Sequence, residues 1–270
     1  MRNNKVKRYV AGRGRFQQKR PEKTAHVADK NPRGIVRMEH VVFFLYILCS
    51  GCPARAAVNL DRTRIIFDAA EPSVSLTVTN DDSARPFLAQ AWVEDSSGKK
   101  STDLLVTIPP VQRIEPGGSS LVRITAAQAA GRLPRDKESL FYFNLRGIPP
   151  RAENSNVLQI ALQTRIKLFY RPEALRLSPG SRRQDSMSLR RIYDGYEIAN
   201  PGPYYTTVVS LKNQGQPDND MTPLMLAPGG HARLSTTRLA RPVLTYINDF
   251  GGRNEVSFHC EGERCEAEKR

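Results

Sequence analysis

Residues 156–172 read NVLQIALQTRIKLFYRP. Apolar Leu158, Ile160 and Leu162 alternate with Gln159, Ala161 and Gln163, and then two cations, Arg165 and Lys167, interrupt an otherwise apolar continuation. A period of two is the mark of a strand with one covered face. The same pattern recurs in SVSLTVTN (73–80), where Val74, Leu76 and Val78 share a face before the turn residues Asn80, Asp81 and Asp82. Working outward, strand-like segments include VNLDRTRIIFDA (58–69), PFLAQAWVED (86–95), LLVTIPPVQRIEPGG (104–118), SLVRITAA (120–127) and SLFYFNLRGIPP (139–150). Beyond Pro172 come MSLRRIYDGYEIANPGPYYTTVVSLKN (187–213), TPLMLAPGGHARLS (222–235), VLTYINDFGG (243–252) and NEVSFHCEGERCEAEK (254–269). Turn signals every eight to fifteen residues, without helical periods between them, predict an all-β sandwich rather than βαβ units. The helix-sized windows, 126–132 and 172–177, are short.

Charge is placed unevenly. The formal net charge of +14 suggests a phosphate-binding surface, yet residues 1–37 hold 12 Lys/Arg against 2 acids. Residues 57–270 hold 28 basic and 24 acidic residues, an ordinary solvated balance. Nucleic acid is therefore not an expected partner.

Between these parts lies MEHVVFFLYILCSGCPARA (38–56). The apolar run 41–48 followed by Ala54-Arg55-Ala56 has the form of a secretory signal cleaved before Ala57. Eight apolar residues fall short of the roughly 20 that span a bilayer, so stable membrane insertion is not expected. A buried strand is the other reading of this run, and no periodic partner lies upstream of it. Met38 is then the expected start, with 1–37 a basic upstream segment from a mis-assigned start. A lipoprotein signal fits less well, because Cys49 and Cys52 lack the usual aliphatic residue three positions before an acylated cysteine.

Export leaves Cys260 and Cys265 in the mature chain, and the default for such a pair is a disulfide closing a hairpin. Zinc would need four ligands, and His231 and His259 have no ligand spacing. No nucleophile elbow, P-loop, zincin or dinucleotide motif is present, and Asp61, Asp68 and Glu71 read as turn and edge carboxylates. An enzyme is not expected, nor any cofactor or metal. The 214 residues from Ala57 to the C-terminus suit two sandwiches of about 100 residues each, joined near YRPEALRLSPGSRR (170–183). The expected division is 57–174 and 175–270.

From the residues alone, Arg64 and Lys167 are solvated strand cations, Leu158, Ile160 and Leu162 are half-buried core, and Arg165 is a surface charge. A resemblance changes the first two. LDRTRIIF (60–67), PFLAQAWVED, PPVQRIEPG (109–117), ESLFYFNLRGIPP (138–150), the opening stretch, NPGPYYTTV (200–208) and YINDFGGR (246–253) closely resemble, in order, the periplasmic chaperones of the chaperone–usher pilus pathway. The resemblance covers nearly all of 57–270 and is weakest at 176–191 and 214–241. It implies two immunoglobulin-like β-sandwich domains set at an angle with a cleft between them. The opening stretch then matches the donor strand that completes an incomplete pilin, with Leu158, Ile160 and Leu162 entering the pilin groove. Arg64 and Lys167 match the cations that anchor the pilin C-terminal carboxylate, and Thr63, beside Arg64, is placed to help order that anchor. Glu138, Arg171 and Asp249 match an interdomain ionic cluster. The connection 151–155 matches the PapD-like short-loop branch.

The implied function is a periplasmic chaperone that folds pilus subunits by donor-strand complementation and delivers them to the outer-membrane usher. The implied partners are pilin subunits, the usher and, for the unloaded chain, a second copy covering its edge. An exported immunoglobulin-like fimbrial subunit or adhesin is the alternative. Such a subunit should carry a donor extension at its mature N-terminus, whereas Ala57 leads directly into a strand. Strict alternation puts Lys167 on the face opposite Leu158, Ile160 and Leu162. Either the strand twists or bulges before the anchor, or the two contacts use different faces.

Overall fold

The computed structural model describes residues 57–152, 158–178, 187–219 and 221–268. The expected signal and upstream segment (1–56), positions 153–157 of the short connection and its junction with the donor strand, and Pro179 and Gly180 of the expected domain junction lie outside them.

The first half forms two sheets. One contains β1 (Val58–Leu60), β3 (Ser73–Asn80), β5 (Leu105–Ile108) and β7 (Ser119–Ala126), in the order β1-β3-β7-β5. The other contains β2 (Arg64–Asp68), β4 (Phe87–Asp95), β6 (Val111–Ile114), β8 (Ser139–Ile148) and β9 (Leu162–Arg171), in the order β2-β9-β8-β4-β6. Alternation drives the packing: Leu76, Val122 and Ile124 from the first sheet meet Ile65, Phe143 and Leu168 from the second in one buried cluster.

Two segments that read as single strands are each divided between these sheets. VNLDRTRIIFDA becomes β1, antiparallel to β3, and β2, parallel to β9, with the change of sheet at Asp61–Thr63. LLVTIPPVQRI becomes β5, paired with β7, and β6, paired with β4, on either side of Pro109 and Pro110. Proline donates no ladder hydrogen bond, so a strand that meets two in succession is free to change partners there.

The second half contains β10 (Ser188–Ile192), β11 (Gly195–Ala199), β12 (Thr206–Asn213), β13 (Leu224–Leu226), β14 (His231–Ser235), β15 (Pro242–Ile247), β16 (Arg253–Glu261) and β17 (Arg264–Ala267). Its ladder runs β13-β12-β15-β16-β17-β10-β11-β14. β16 pairs with β15 through Arg253–Ser257 and with β17 through Phe258–Glu261, so one strand serves both layers. Leu189, Tyr196, Ile198, Val208, Leu244 and Phe258 fill the space between. The result is two immunoglobulin-like sandwiches, as expected. The helix-sized windows hold single 3-10 turns, Gln128–Arg132 and Glu173–Leu175. Cys260 and Cys265 face each other across the β16–β17 hairpin and form the expected disulfide. Closing so short a loop contributes roughly 2 kcal/mol in the loop-entropy picture. Among the described residues no helix is long and apolar enough to cross a membrane.

Candidate functional site

β9 is one of the places where the two sandwiches touch. Its pairing with β8 runs without a register shift from Leu162 to Tyr170, and with β2 from Lys167 to Arg171. The alternation therefore holds along the strand with no bulge. Ile166 and Leu168 are buried in the first core. The residues between and beyond them face the second sandwich. Lys167 Nζ donates to Thr207 Oγ1 at 3.1 Å, the Phe169 ring stacks on Tyr205 at 5.6 Å, and Arg171 bonds Asp249 at 2.9 Å. Within β9 the parity question raised by the sequence is thus answered: Lys167 and Leu162 lie on different faces of one regular strand.

Parallel pairing sets Arg64 of β2 directly beside Lys167 of β9. Opposite them, Thr207 of β12 and Ile247 of β15 are themselves paired residues, and Arg64 Nη1 donates to the Ile247 carbonyl at 3.3 Å. Two cations and two polar groups thus converge from four strands. Burial first, and the Arg64 guanidinium second, push the Lys167 ammonium below the ordinary lysine range. Such a pair suits an anion: a carboxylate between the two would accept charge-assisted hydrogen bonds and relieve their mutual repulsion. Thr63 lies against Gly251, whose φ of +86° and closeness to the Thr63 hydroxyl leave no room for a side chain.

Glu138, Arg171 and Asp249 come together as one cluster. Arg171 Nε donates to Glu138 Oε1 at 2.8 Å, and the other Glu138 oxygen accepts from the Tyr205 backbone N–H at 2.8 Å. Arg171 also lies 5.2 Å over the Tyr204 ring. Glu138 and Arg171 are 2% and 5% exposed. Burial opposes the guanidinium charge, yet Asp249 and Glu138 outweigh it and hold its pKa above the ordinary value.

The other end of β9 is open. β2 begins at Arg64, opposite Lys167, so among the described residues Leu162–Ile166 are laddered to β8 alone. The strand was expected from Asn156, but it begins at Leu162; Leu158 and Ile160 lie outside the ladder. Leu158, Ile160 and Leu162 are 84%, 62% and 53% exposed. They are therefore not core of this chain, the role that half-buried alternation alone suggests. Arg165 is a surface charge as expected, 3.1 Å from Glu94 and stacked 3.8 Å over Tyr142. Sequence reasoning did not single out Thr207, Tyr205 or the Ile247 carbonyl. They carry no charge, and they reach the site by packing between sandwiches, which leaves no local signal.

Comparison with known proteins identifies the family. The family model described as "Pili and flagellar-assembly chaperone, PapD N-terminal domain" matches residues 57–176, and "Pili assembly chaperone PapD, C-terminal domain" matches 183–258. The Escherichia coli chaperone protein PapD is 48% identical over 219 residues, covering 80% of this chain and 92% of that one. The crystal structure of the periplasmic chaperone SfaE superposes with a TM-score of 0.61 at 32% identity, covering 74% of this chain and 98% of that one. The Pseudomonas aeruginosa CupB2 chaperone gives 0.63 at 29% identity, covering 77% and 100%. These relatives are chaperones and not fimbrial subunits, which sets the subunit alternative aside. Matched by both domain models in order, and by a relative 48% identical across four fifths of its length, this chain belongs to the PapD-type pilus-assembly chaperones.

Proposed function

We propose that this chaperone works in the periplasm and holds pilus subunits by lending them a strand. The carrying observation is the form of β9 and of the residues that lead into it: among the described residues, a backbone edge unpaired on one side and an exposed apolar row at one end, and a pair of cations at the other. The subunit's C-terminal carboxylate sits between Arg64 and Lys167. Its edge strand pairs with β9 from there toward Leu162 and onward, while Leu158, Ile160 and Leu162 enter its groove. Leu158 lies nine residues from Lys167, about 30 Å along an extended strand, so the anchor sets the register of the whole ladder. The three exposed fractions amount to about two fully exposed side chains. Burying them is worth roughly 3–6 kcal/mol gross, and less after association costs.

The Glu138–Arg171–Asp249 cluster fixes the two sandwiches against each other, so the anchor and its partners on β12 and β15 stay in place. Action is by binding alone, without turnover, nucleotide or metal. An export signal is removed before Ala57, and the sandwiches divide at about residues 174 and 175. Loaded chaperone delivers subunits to the outer-membrane usher, where the next subunit's extension replaces β9. An unloaded open edge is a template for any strand, and a second copy covers it until a subunit arrives.

The test is purification from periplasm of the wild type and of Lys167→Met, each co-expressed with a pilin operon, scored by intact mass for a stoichiometric subunit. The wild type should carry the subunit, and the folded variant should not. Equal retention by both would remove the anchor from the proposal, and no subunit on either would remove the donor-strand role.

A further inference from the structure

Phe250 is 95% exposed, an unusual state for a phenylalanine on a well-ordered turn. The turn is tied at every other position. Asn248 Oδ1 accepts from the Phe250 and Gly252 backbone N–H groups at 3.0 and 2.9 Å, and the Asn248 N–H donates to the Gly252 carbonyl at 2.8 Å. Asp249 bonds Arg171, and Gly251 lies against Thr63. Ile247, just before the turn, gives its carbonyl to Arg64. A fully exposed aromatic is thus held on a turn whose neighbouring residues reach Arg171, Thr63 and Arg64. It lies three residues from Ile247, within about 10 Å of chain.

We propose that Phe250 is a further subunit-contact residue, an apolar cap over the side chain of the last residue or two of the bound subunit. The inference rests on the carboxylate anchor proposed above. Once the α-carboxylate is fixed between Arg64 and Lys167, the side chain nearest it lies beside the β15–β16 turn. A rigid aromatic placed there gains contact area at little entropic cost, since the backbone that carries it is already ordered. Phe250 thereby favours subunits that end in an apolar or aromatic residue over those that end in a polar one.

The probes are twelve-residue synthetic peptides of alternating apolar and polar residues, labelled at the N-terminus and ending in Phe, Leu or Ser with a free carboxylate. Binding is read by fluorescence polarisation. The wild type should bind the Phe- and Leu-ended peptides about tenfold more tightly than the Ser-ended one. Phe250→Ala should lose that preference at unchanged thermal midpoint, and Tyr193→Ala, which removes an equally exposed aromatic from the β10–β11 turn, should keep it. An undiminished preference in Phe250→Ala overturns the inference. C-terminal amidation and Lys167→Met separate the two layers: if both abolish binding while Phe250→Ala changes nothing, the cap fails and the anchor stands. If neither weakens binding, the anchor fails and the cap with it.

Discussion

Along β9 and its approach, one row of side chains should change its role between Leu162 and Ile166. Ile160 is 62% exposed and Ile166 is 9% exposed, with the same side chain at both positions. Ile160→Ala removes three carbons, about 2.4 kcal/mol if fully buried in a partner at about 0.8 kcal/mol each. Scaled by the surface still available, this is about 1.5 kcal/mol of subunit binding, or roughly tenfold in Kd. In the free chaperone the same change should cost under about 0.5 kcal/mol, as at other exposed sites. Ile166→Ala opens a cavity in the first core and should cost roughly 2–5 kcal/mol of stability. Urea unfolding followed by the fluorescence of Trp92, the single tryptophan, reports the first sandwich directly. Subunit retention after a salt wash reports binding. The reasoning is refuted if Ile160→Ala destabilises the free protein as much as Ile166→Ala does, or leaves subunit retention untouched.

Four further outcomes are expected. Carboxylate binding should weaken as pH rises through the lowered Lys167 pKa, thus at a lower pH than the ordinary lysine value of about 10.4, because the neutral amine offers no charge; a binding isotherm flat from pH 7 to 11 would contradict this. The same depression means that the folded state disfavours the charged amine, so Lys167→Met should raise the thermal midpoint at pH 7 while abolishing the anchor, a trade that differential scanning calorimetry measures. Arg171→Met leaves two carboxylates without their shared cation and should cost roughly 3–5 kcal/mol in denaturant titration. Asp218, pulled down to about 2 first by its bond to Lys212, contributes stability that is present above the unfolded value of 3.8 and is lost as pH falls through about 2; Asp218→Asn should therefore lower the unfolding midpoint at pH 7, by an amount that shrinks steadily as the pH is taken down toward and below 2.

Much of the fold was legible in advance. Period-two alternation identified the strands and their covered rows because it is a local property: adjacent side chains on an extended chain point to opposite sides whatever the partner strand is. The same locality made Cys260 and Cys265 legible, since five residues and a turn between them leave a hairpin as the natural closure. It also explains the errors. Nothing local distinguishes an alternating row that packs on its own core, as Leu76 and Val78 do, from one that stays exposed, as Leu158, Ile160 and Leu162 do.

Tertiary structure decided the rest. The parallel docking of β2 on β9 joins segments about a hundred residues apart and places Arg64 beside Lys167. Starting that ladder at Arg64 is also what leaves Leu162–Ile166 paired with β8 alone among the described residues. The division of 58–69 between two sheets, the use of opposite faces of β9 for the core and for the second sandwich, and the arrival of Thr207 and Ile247 at the cations all depend on which strands meet. From sequence alone the chain had its strands, their inward rows and a pair of cations with an implied purpose. Strand pairing over long separations turned them into an edge, a contact between sandwiches and a register, because those are relations between segments and no single segment carries them.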